Sequence, residues 1–190
     1  MNEHHKTDND LALELQQVEA AKSDPARFSV LYEKYYKVIF IFIFRRTGEE
    51  ELAADITSNT FLKAMLALPK YEYKGVPFSA FLFRIALNEI NMYFRKSKKE
   101  RVVSLEQVSL GAMVDETGQN DSEENRKLVM ALLSHLDAGS MQMIEMRFFE
   151  KRPFAEIGQI LGITENHAKV KTYRLLDKLK ALILKRRAGK

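Results

Sequence analysis

FAEIGQILGITENHAKVKTYRLL, residues 154–176, has the pattern of two short helices crossing at a glycine turn. Ile157, Leu161, Ile163 and Ala168 are small or apolar at the points where the two helices must touch. Gly158 permits close approach, and Gly162 stands at the turn, where a backbone with positive φ is predicted. Thr164 is placed to cap the second helix. At 100° per residue, His167, Lys171, Arg174 and Lys178 fall within about 60° of one another, while Leu175, Leu179 and Leu182 form a separate apolar stripe. One helix thus carries a packing face and a cationic face. A helix seated in a major groove needs both, because phosphates take charge and base edges take hydrogen-bond donors. The segment from about Phe154 to Lys178 therefore reads as a helix-turn-helix for duplex DNA rather than a plain helical hairpin. Lys171 and Arg174 suit either base edges or phosphates, and both assignments stay open. His167 reads as a surface or phosphate contact and not as a metal ligand.

The charge distribution points the same way. The chain has 190 residues and a formal net charge of +4. Residues 164–190 carry nine Lys and Arg against two acids, and residues 98–125 carry three against seven. A basic end behind an acidic middle suits a polyanionic partner, although a merely solvated basic tail would look alike. The apolar fraction of 46% is that of a globular protein. There is no cysteine, which excludes disulfides, thiolate catalysis and cysteine-based zinc sites. The first ten residues, MNEHHKTDND, lack the apolar stretch of a secretory signal. The longest apolar run, Val38–Phe44, has seven residues, where a bilayer takes roughly 20. No membrane insertion is expected, and the location expected is the cytoplasm.

Working outward, the rest of the chain reads as helices. Leu11–Lys22 is a first helix with Asp10 as its cap, and Asp24-Pro25 starts a second. Phe28, Leu31, Tyr32, Tyr35, Ile39 and Phe42 recur at steps of three and four, the helical period. Val38–Phe44 alone would also suit a strand, but the period is continuous from Phe28 until Thr47-Gly48 ends it. Glu49–Leu68 is a third helix stopped by Pro69, and Pro77–Lys98 a fourth. Periodicity lapses from about Lys99 to Ser122, which reads as a flexible linker. Helices resume at Glu123–Leu136, Ser140–Phe149, Phe154–Leu161 and Thr164 to about Arg186. The fold class is all-α: two helical domains, 1–98 and 123–190, joined by a linker at 99–122.

The fourth helix carries a second polar face. Arg84, Asn88, Asn91 and Arg95 line up at steps of four, three and four, opposite Phe78, Leu82, Ile85, Ala86 and Tyr93. Asparagine between arginines suits base edges and the sugar-phosphate together. Before this helix come Tyr71, Tyr73, Lys74 and Gly75, and aromatics interleaved with lysine can stack the bases of a single strand. These residues alone slightly favour a solvated helix face with loop tyrosines packed on the core.

Four segments, in order, resemble a bacterial sigma factor of the extracytoplasmic function type. FSVLYEKYY (28–36) is similar to the opening helix of the sigma-two domain, and DITSNTFLKAM (55–65) to its polymerase-binding helix. FSAFLFRIALNEINMYFRKSKK (78–99) is similar to the helix that opens and reads the promoter minus-ten element. Residues 132–179 resemble the sigma-four domain, which reads the minus-thirty-five element. The resemblance implies a sigma-two helical bundle and a sigma-four helix-turn-helix, with core RNA polymerase and promoter DNA as partners and an anti-sigma factor expected. Asp55, Asn59 and Phe61 would bind polymerase. Tyr71, Tyr73, Lys74, Arg84, Asn88, Asn91 and Arg95 would hold the melted non-template strand, with Asn88 matching a family position that faces it. Thr164, Asn166, His167, Lys169, Lys171, Arg174 and Lys178 would meet the upstream duplex. The linker would run toward the polymerase active-site channel. No cofactor, metal or catalytic residue is implied, so the chain is not expected to be an enzyme.

The chain departs from the family pattern at several positions. Ser58-Asn59-Thr60-Phe61 stands where Gln-Glu-Thr-Phe is usual, which removes one acid from the polymerase interface. Met92 stands where Asp is common, so minus-ten specificity does not carry over, and Phe81 where Trp is frequent. No further C-terminal sensing or inhibitory module is expected. A two-component regulator would need an α/β receiver in place of this helical N-terminal half. A nucleic-acid enzyme would need paired carboxylates, a phosphate-cradling glycine loop or an activated nucleophile. Ser79 and His135 read as structural, and the basic last helix argues against a purely protein-binding adaptor.

Overall fold

The computed structural model describes residues 7–97, 123–133 and 136–188. All the regular structure among them is helical, without a strand, as the periodicity requires. The chain divides into two compact units. The expected linker at 99–122 and His135 lie outside the described residues, as do the side chains of Leu179 and Leu182.

In the N-terminal unit, helix α1 spans Asp8–Ser23, and its cap is Thr7 rather than Asp10. The Thr7 hydroxyl accepts from the Asp10 N–H (3.2 Å) and the Asp10 carboxylate accepts from the Thr7 N–H (2.9 Å). This reciprocal box starts the helix a turn earlier than Asp10 alone would. Asp24 accepts from the Ala26 N–H (3.0 Å) and opens a single 3-10 turn, Pro25–Arg27. Helix α2 follows, Phe28–Thr47, and stops at Gly48 with φ +71°. Within Val38–Phe44 it is Ile39, Phe42 and Ile43 that are buried, while Val38 and Phe44 are exposed. A strand would have split the run by alternate residues; the three-and-four spacing is that of a helix. Tyr32, expected in the core stripe, is exposed.

Helix α3, Glu50–Ala67, ends one residue before the 3-10 turn Leu68–Lys70, into which Pro69 forces the chain. Helix α4 is Phe78–Ser97. Helices α2, α3 and α4 pack on one another, and α1 lies against α2 and α4. Thr57 and Thr60 are buried in α3, and each hydroxyl donates to the carbonyl four residues back, Ala53 (2.6 Å) and Ile56 (2.7 Å). Each hydroxyl is thereby satisfied within its own helix, which lets α3 bury a polar side chain against its neighbours.

From residue 123 the chain forms α5 (Glu123–Leu133), α6 (Ala138–Ile144), α7 (Phe154–Leu161) and α8 (Glu165–Ala188), and the C-terminal unit takes α7 as far as Gly158. Leu136, expected to end the first of these helices, lies in a bend outside it. The expected helix Ser140–Phe149 divides into α6 and a five-residue π turn, Glu145–Phe149. Lys151 then adopts φ +53°, which a lysine holds only when its surroundings fix it. They do so here through Arg152. Its buried guanidinium pairs with Glu150 (2.5 Å) and with Glu156 on α7, and its carbonyl accepts from Arg147 Nη1 (3.1 Å). Arg147 also lies over the Phe154 ring, 4.6 Å from its centroid. Arg152, between the exposed Lys151 and the start of α7, is thus a buried brace for that helix.

Asp137 caps α6, a role the sequence reading missed. Its carboxylate accepts from the Ser140 N–H (3.0 Å) and hydroxyl (2.5 Å). The Ser140 side chain first, then the Ser140 N–H, holds the Asp137 pKa below the usual carboxylate range. A carboxyl depressed in the folded state stabilises fully above its ordinary pKa, and that stabilisation is lost as the pH falls through the lowered value. Asp137→Ala should therefore cost about 1 kcal/mol of α6 stability near neutral pH. The expected readout is about fivefold less amide-exchange protection at Met141–Ile144, with the difference from the parent closing as the pH falls below the carboxylate range.

Candidate nucleic-acid interface

The cationic face on α8 forms as its spacing predicts. His167, Lys171, Arg174 and Lys178 are all exposed. Ala168, Thr172 and Leu176 are buried at steps of four, about 130° around the helix from the cationic face. The packing stripe is therefore Ala168–Thr172–Leu176, and Leu175, expected within it, is only half-buried at its margin. Thr172 enters the stripe because its hydroxyl donates to the Ala168 carbonyl (2.9 Å). Asn166 and Lys169 are exposed but lie on the other flank of the helix by the same wheel. Thr164 accepts from the His167 N–H (3.2 Å) and is the cap expected of it.

The turn before α8 holds this face in place. Gly162 has φ +71°, and Ile157 and Ile160 of α7 are buried. A Cβ on Gly158 would lie 2.9 Å from the Ile163 carbonyl oxygen and 3.1 Å from the Glu165 nitrogen. Both neighbours are backbone, so only glycine lets α7 and the turn approach this closely.

On α4, Arg84, Asn88, Asn91 and Arg95 are exposed on one face, within about 60° of one another. Leu82, Phe83, Ala86 and Ile90 are buried on the opposite side. Glu89 is buried at the edge and pairs with Lys63 of α3 (2.6 Å). Met92 is half-buried beside the polar face.

The loop before α4 separates its two tyrosines. Tyr71 is 8% exposed and its ring meets Phe78 edge-on at 5.2 Å and Phe81 at 5.0 Å. Burial, then the nearby Glu14 carboxylate, pushes its phenol up to about 12. Tyr71 is thus a core residue and not the exposed stacking platform expected; its aromatic neighbours take the ring that the loop would otherwise present. Tyr73 is 41% exposed, and Lys74 is exposed beside it. Gly75, at φ +72°, turns the chain back so that Val76 can be buried.

Helix α3 carries a third face. Asp55 and Asn59 are exposed as expected. Phe61, expected to meet a partner, is 3% exposed and packs on Phe28 and Tyr32 (ring centroids 6.4 and 4.8 Å). One position along, Leu62 is 51% exposed, and Leu66 is 70% exposed. Asp55, Asn59, Leu62 and Leu66 recur at steps of four, three and four and so form one stripe. Neither leucine stands out from the sequence alone.

Residues 31–100 match the model for sigma-70 region 2, and residues 132–181 the model for sigma-70 region 4. The chain is 29% identical over 184 residues to the ECF RNA polymerase sigma factor BldN of Streptomyces coelicolor, covering 93% of this chain and 68% of BldN. It is 25% identical over 154 residues to the ECF RNA polymerase sigma factor SigM of Bacillus subtilis, covering 80% of this chain and 92% of SigM. Its fold resembles that of CnrH, solved in complex with the cytosolic domain of CnrY, with a TM-score of 0.55 at 21% identity over 90% of this chain and 96% of that one. The first matched segment takes in α3, α4 and all of α2 but its first three residues, and the second takes in α6, α7 and α8 as far as residue 181.

The glycine constraint gives a test of the α7–α8 geometry. Gly158→Ala should destabilise the C-terminal unit by about 1–3 kcal/mol, because the methyl meets backbone that cannot swing aside. The measurement is amide exchange across α7 and α8, which should accelerate while α2–α4 stay at the parent rate.

Proposed function

The chain belongs to the sigma-70 family as a sigma factor of the extracytoplasmic function type, and from that premise we propose that it grips a promoter at two points. It directs transcription by RNA polymerase, and it acts by binding rather than by chemistry of its own. In the proposal the α8 face, led by Lys171 and Arg174, reads the minus-thirty-five element as duplex, with Thr164, Asn166, Lys169, His167 and Lys178 flanking. The α4 face and the loop tip Tyr73–Lys74 hold the melted non-template strand of the minus-ten element. Tyr71 supports the loop from the core. Residues 1–98 are assigned to the sigma-two domain, 99–122 to the connector and 123–190 to the sigma-four domain.

One observation carries this reading: each matched segment holds a helix whose exposed side is cationic and whose opposite side is buried. Strand separation gives the α4 face its purpose. A base leaving the stack costs a few kcal/mol, and a surface offering amide hydrogen bonds, guanidinium charge and an aromatic ring offsets that cost. Arg84, Asn88, Asn91, Arg95 and Tyr73 supply these groups together. Polymerase binding is assigned to the α3 stripe, where Asp55 and Asn59 give polar specificity and Leu62 and Leu66 replace Phe61 as the apolar contact. Among the described residues no helix is long and apolar enough to cross a membrane. CnrH forms a complex with the cytosolic domain of CnrY, and an anti-sigma factor of this kind is proposed here, covering the Asp55 stripe or the α8 face.

Run-off transcription with purified core polymerase and genomic fragments tests the reading as a whole: discrete transcripts that depend on this protein are expected, and failure to bind core or to direct initiation would sink it. Lys171→Ala with Arg174→Ala should weaken binding to the upstream duplex by about tenfold or more and lower the salt slope, with core affinity unchanged. Asp55→Ala with Leu62→Ala should show the opposite split in the same two titrations.

A further inference from the structure

The loop between α3 and α4 is held at both ends by side chains of α1. At its entry, Lys22 Nζ donates to the Tyr71 carbonyl oxygen at 2.8 Å and lies 5.8 Å from the Tyr71 ring centroid. Glu19 steadies the same ammonium at 2.8 Å. At its exit, the Glu14 carboxylate accepts from the Phe78 N–H at 2.7 Å, the first backbone donor of α4. Glu14 is fully buried there, also accepts from the Tyr35 hydroxyl, and pairs with Lys34 (3.1 Å). Each charge suits its site: a cation meets a carbonyl oxygen, and an anion meets the positive end of a helix. The two residues stand eight positions apart, about 12 Å along α1, with Val18 and Ala21 buried between them. Between the clamped ends, Glu72, Tyr73, Lys74 and Gly75 are exposed.

We propose that Lys22 and Glu14 are positioning residues for promoter opening, fixing the frame in which Tyr73 and Lys74 meet the displaced strand. Residues 14 and 22 precede the segment matched to sigma-70 region 2, which begins at residue 31. Lys22 and Glu14 tie α1 to the two loop ends, and both lie outside α2–α4, so loss of either tie loosens the tip. A loosened tip must be ordered when the strand binds, and that ordering weakens capture of the strand. The inference rests on the strand-holding role given to the loop above.

The test uses holoenzyme assembled from the full chain and core polymerase, on a promoter recovered by run-off transcription. The probe is a fluorescent single-stranded oligonucleotide carrying that promoter's non-template minus-ten sequence. Lys22→Met keeps the stem and removes the ammonium. It should weaken strand binding by about tenfold, as expected for a lost charge-assisted hydrogen bond, and slow permanganate reactivity of the melted bases. Core affinity and affinity for the upstream duplex should stay at parent values, and Lys22→Arg should restore most of the strand affinity. Glu14→Gln should shift strand binding in the same direction. In a background of Tyr73→Ala with Lys74→Ala, Lys22→Met should add almost nothing, because it acts through that tip. If the tip variant weakens strand binding but Lys22→Met does not, the positioning role is overturned and the loop reading stands. If the tip variant changes nothing, the loop reading fails and this inference with it. An equal loss of duplex, core and strand binding in Lys22→Met would mark a general effect on the fold and overturn the proposal.

Discussion

The packing of α4 into the groove made by α2 and α3 is the constraint on which the N-terminal unit depends. Phe83 meets Phe42 edge-on at 4.8 Å, and Leu82, Ala86 and Ile90 are fully buried. Each large side chain taken from water in this way contributes about 1.5–3 kcal/mol, far more than any surface contact of the polar face. That burial fixes the rotation of α4 about its own axis. Once the rotation is fixed, Arg84, Asn88, Asn91 and Arg95 have no freedom but to point outward together.

The same logic operates in the C-terminal unit with smaller parts. Ala168, Thr172 and Leu176 give α8 a narrow buried stripe, and Gly158 allows the turn close enough to seat it. A narrow stripe leaves most of the helix circumference available for charge. Backbone approach at Gly158 and the buried Arg152 with its two carboxylates add to that stripe in fixing the local geometry. Breaking such a pair leaves a charge buried without its partner, which is far more costly than losing a surface ion pair.

Much of this was legible in the sequence, for reasons that can be named residue by residue. The Val38–Phe44 run was assigned correctly to a helix because the three-and-four spacing continued through it from Phe28. The α8 face, the Gly158 and Gly162 roles and the Thr164 cap follow from local geometry, which neighbours in sequence determine. The errors share a cause. Phe61 and Tyr71 read as contact residues and Leu62 and Leu66 do not stand out, because residue type does not say which side of a helix or loop its neighbours cover. Asp137 and the π turn at Glu145–Phe149 depended on hydrogen bonds that a periodicity reading does not weigh.

The sequence by itself determined the helical class, the order of the helices, the cationic face of α8 and the polar stripe of α4, since all of these are set by spacing along one helix at 100° per residue. Only the tertiary structure decided which aromatic rings are core, where Glu14 and Arg152 are buried, and how α1 holds the ends of the loop before α4. Those features join residues as far apart as Glu14 and Phe78. Glu14 is buried because elements distant in the chain converge on it, whereas Arg152 is paired by Glu150 and Glu156 close by in sequence and is covered only once the unit folds, and no spacing pattern records either burial.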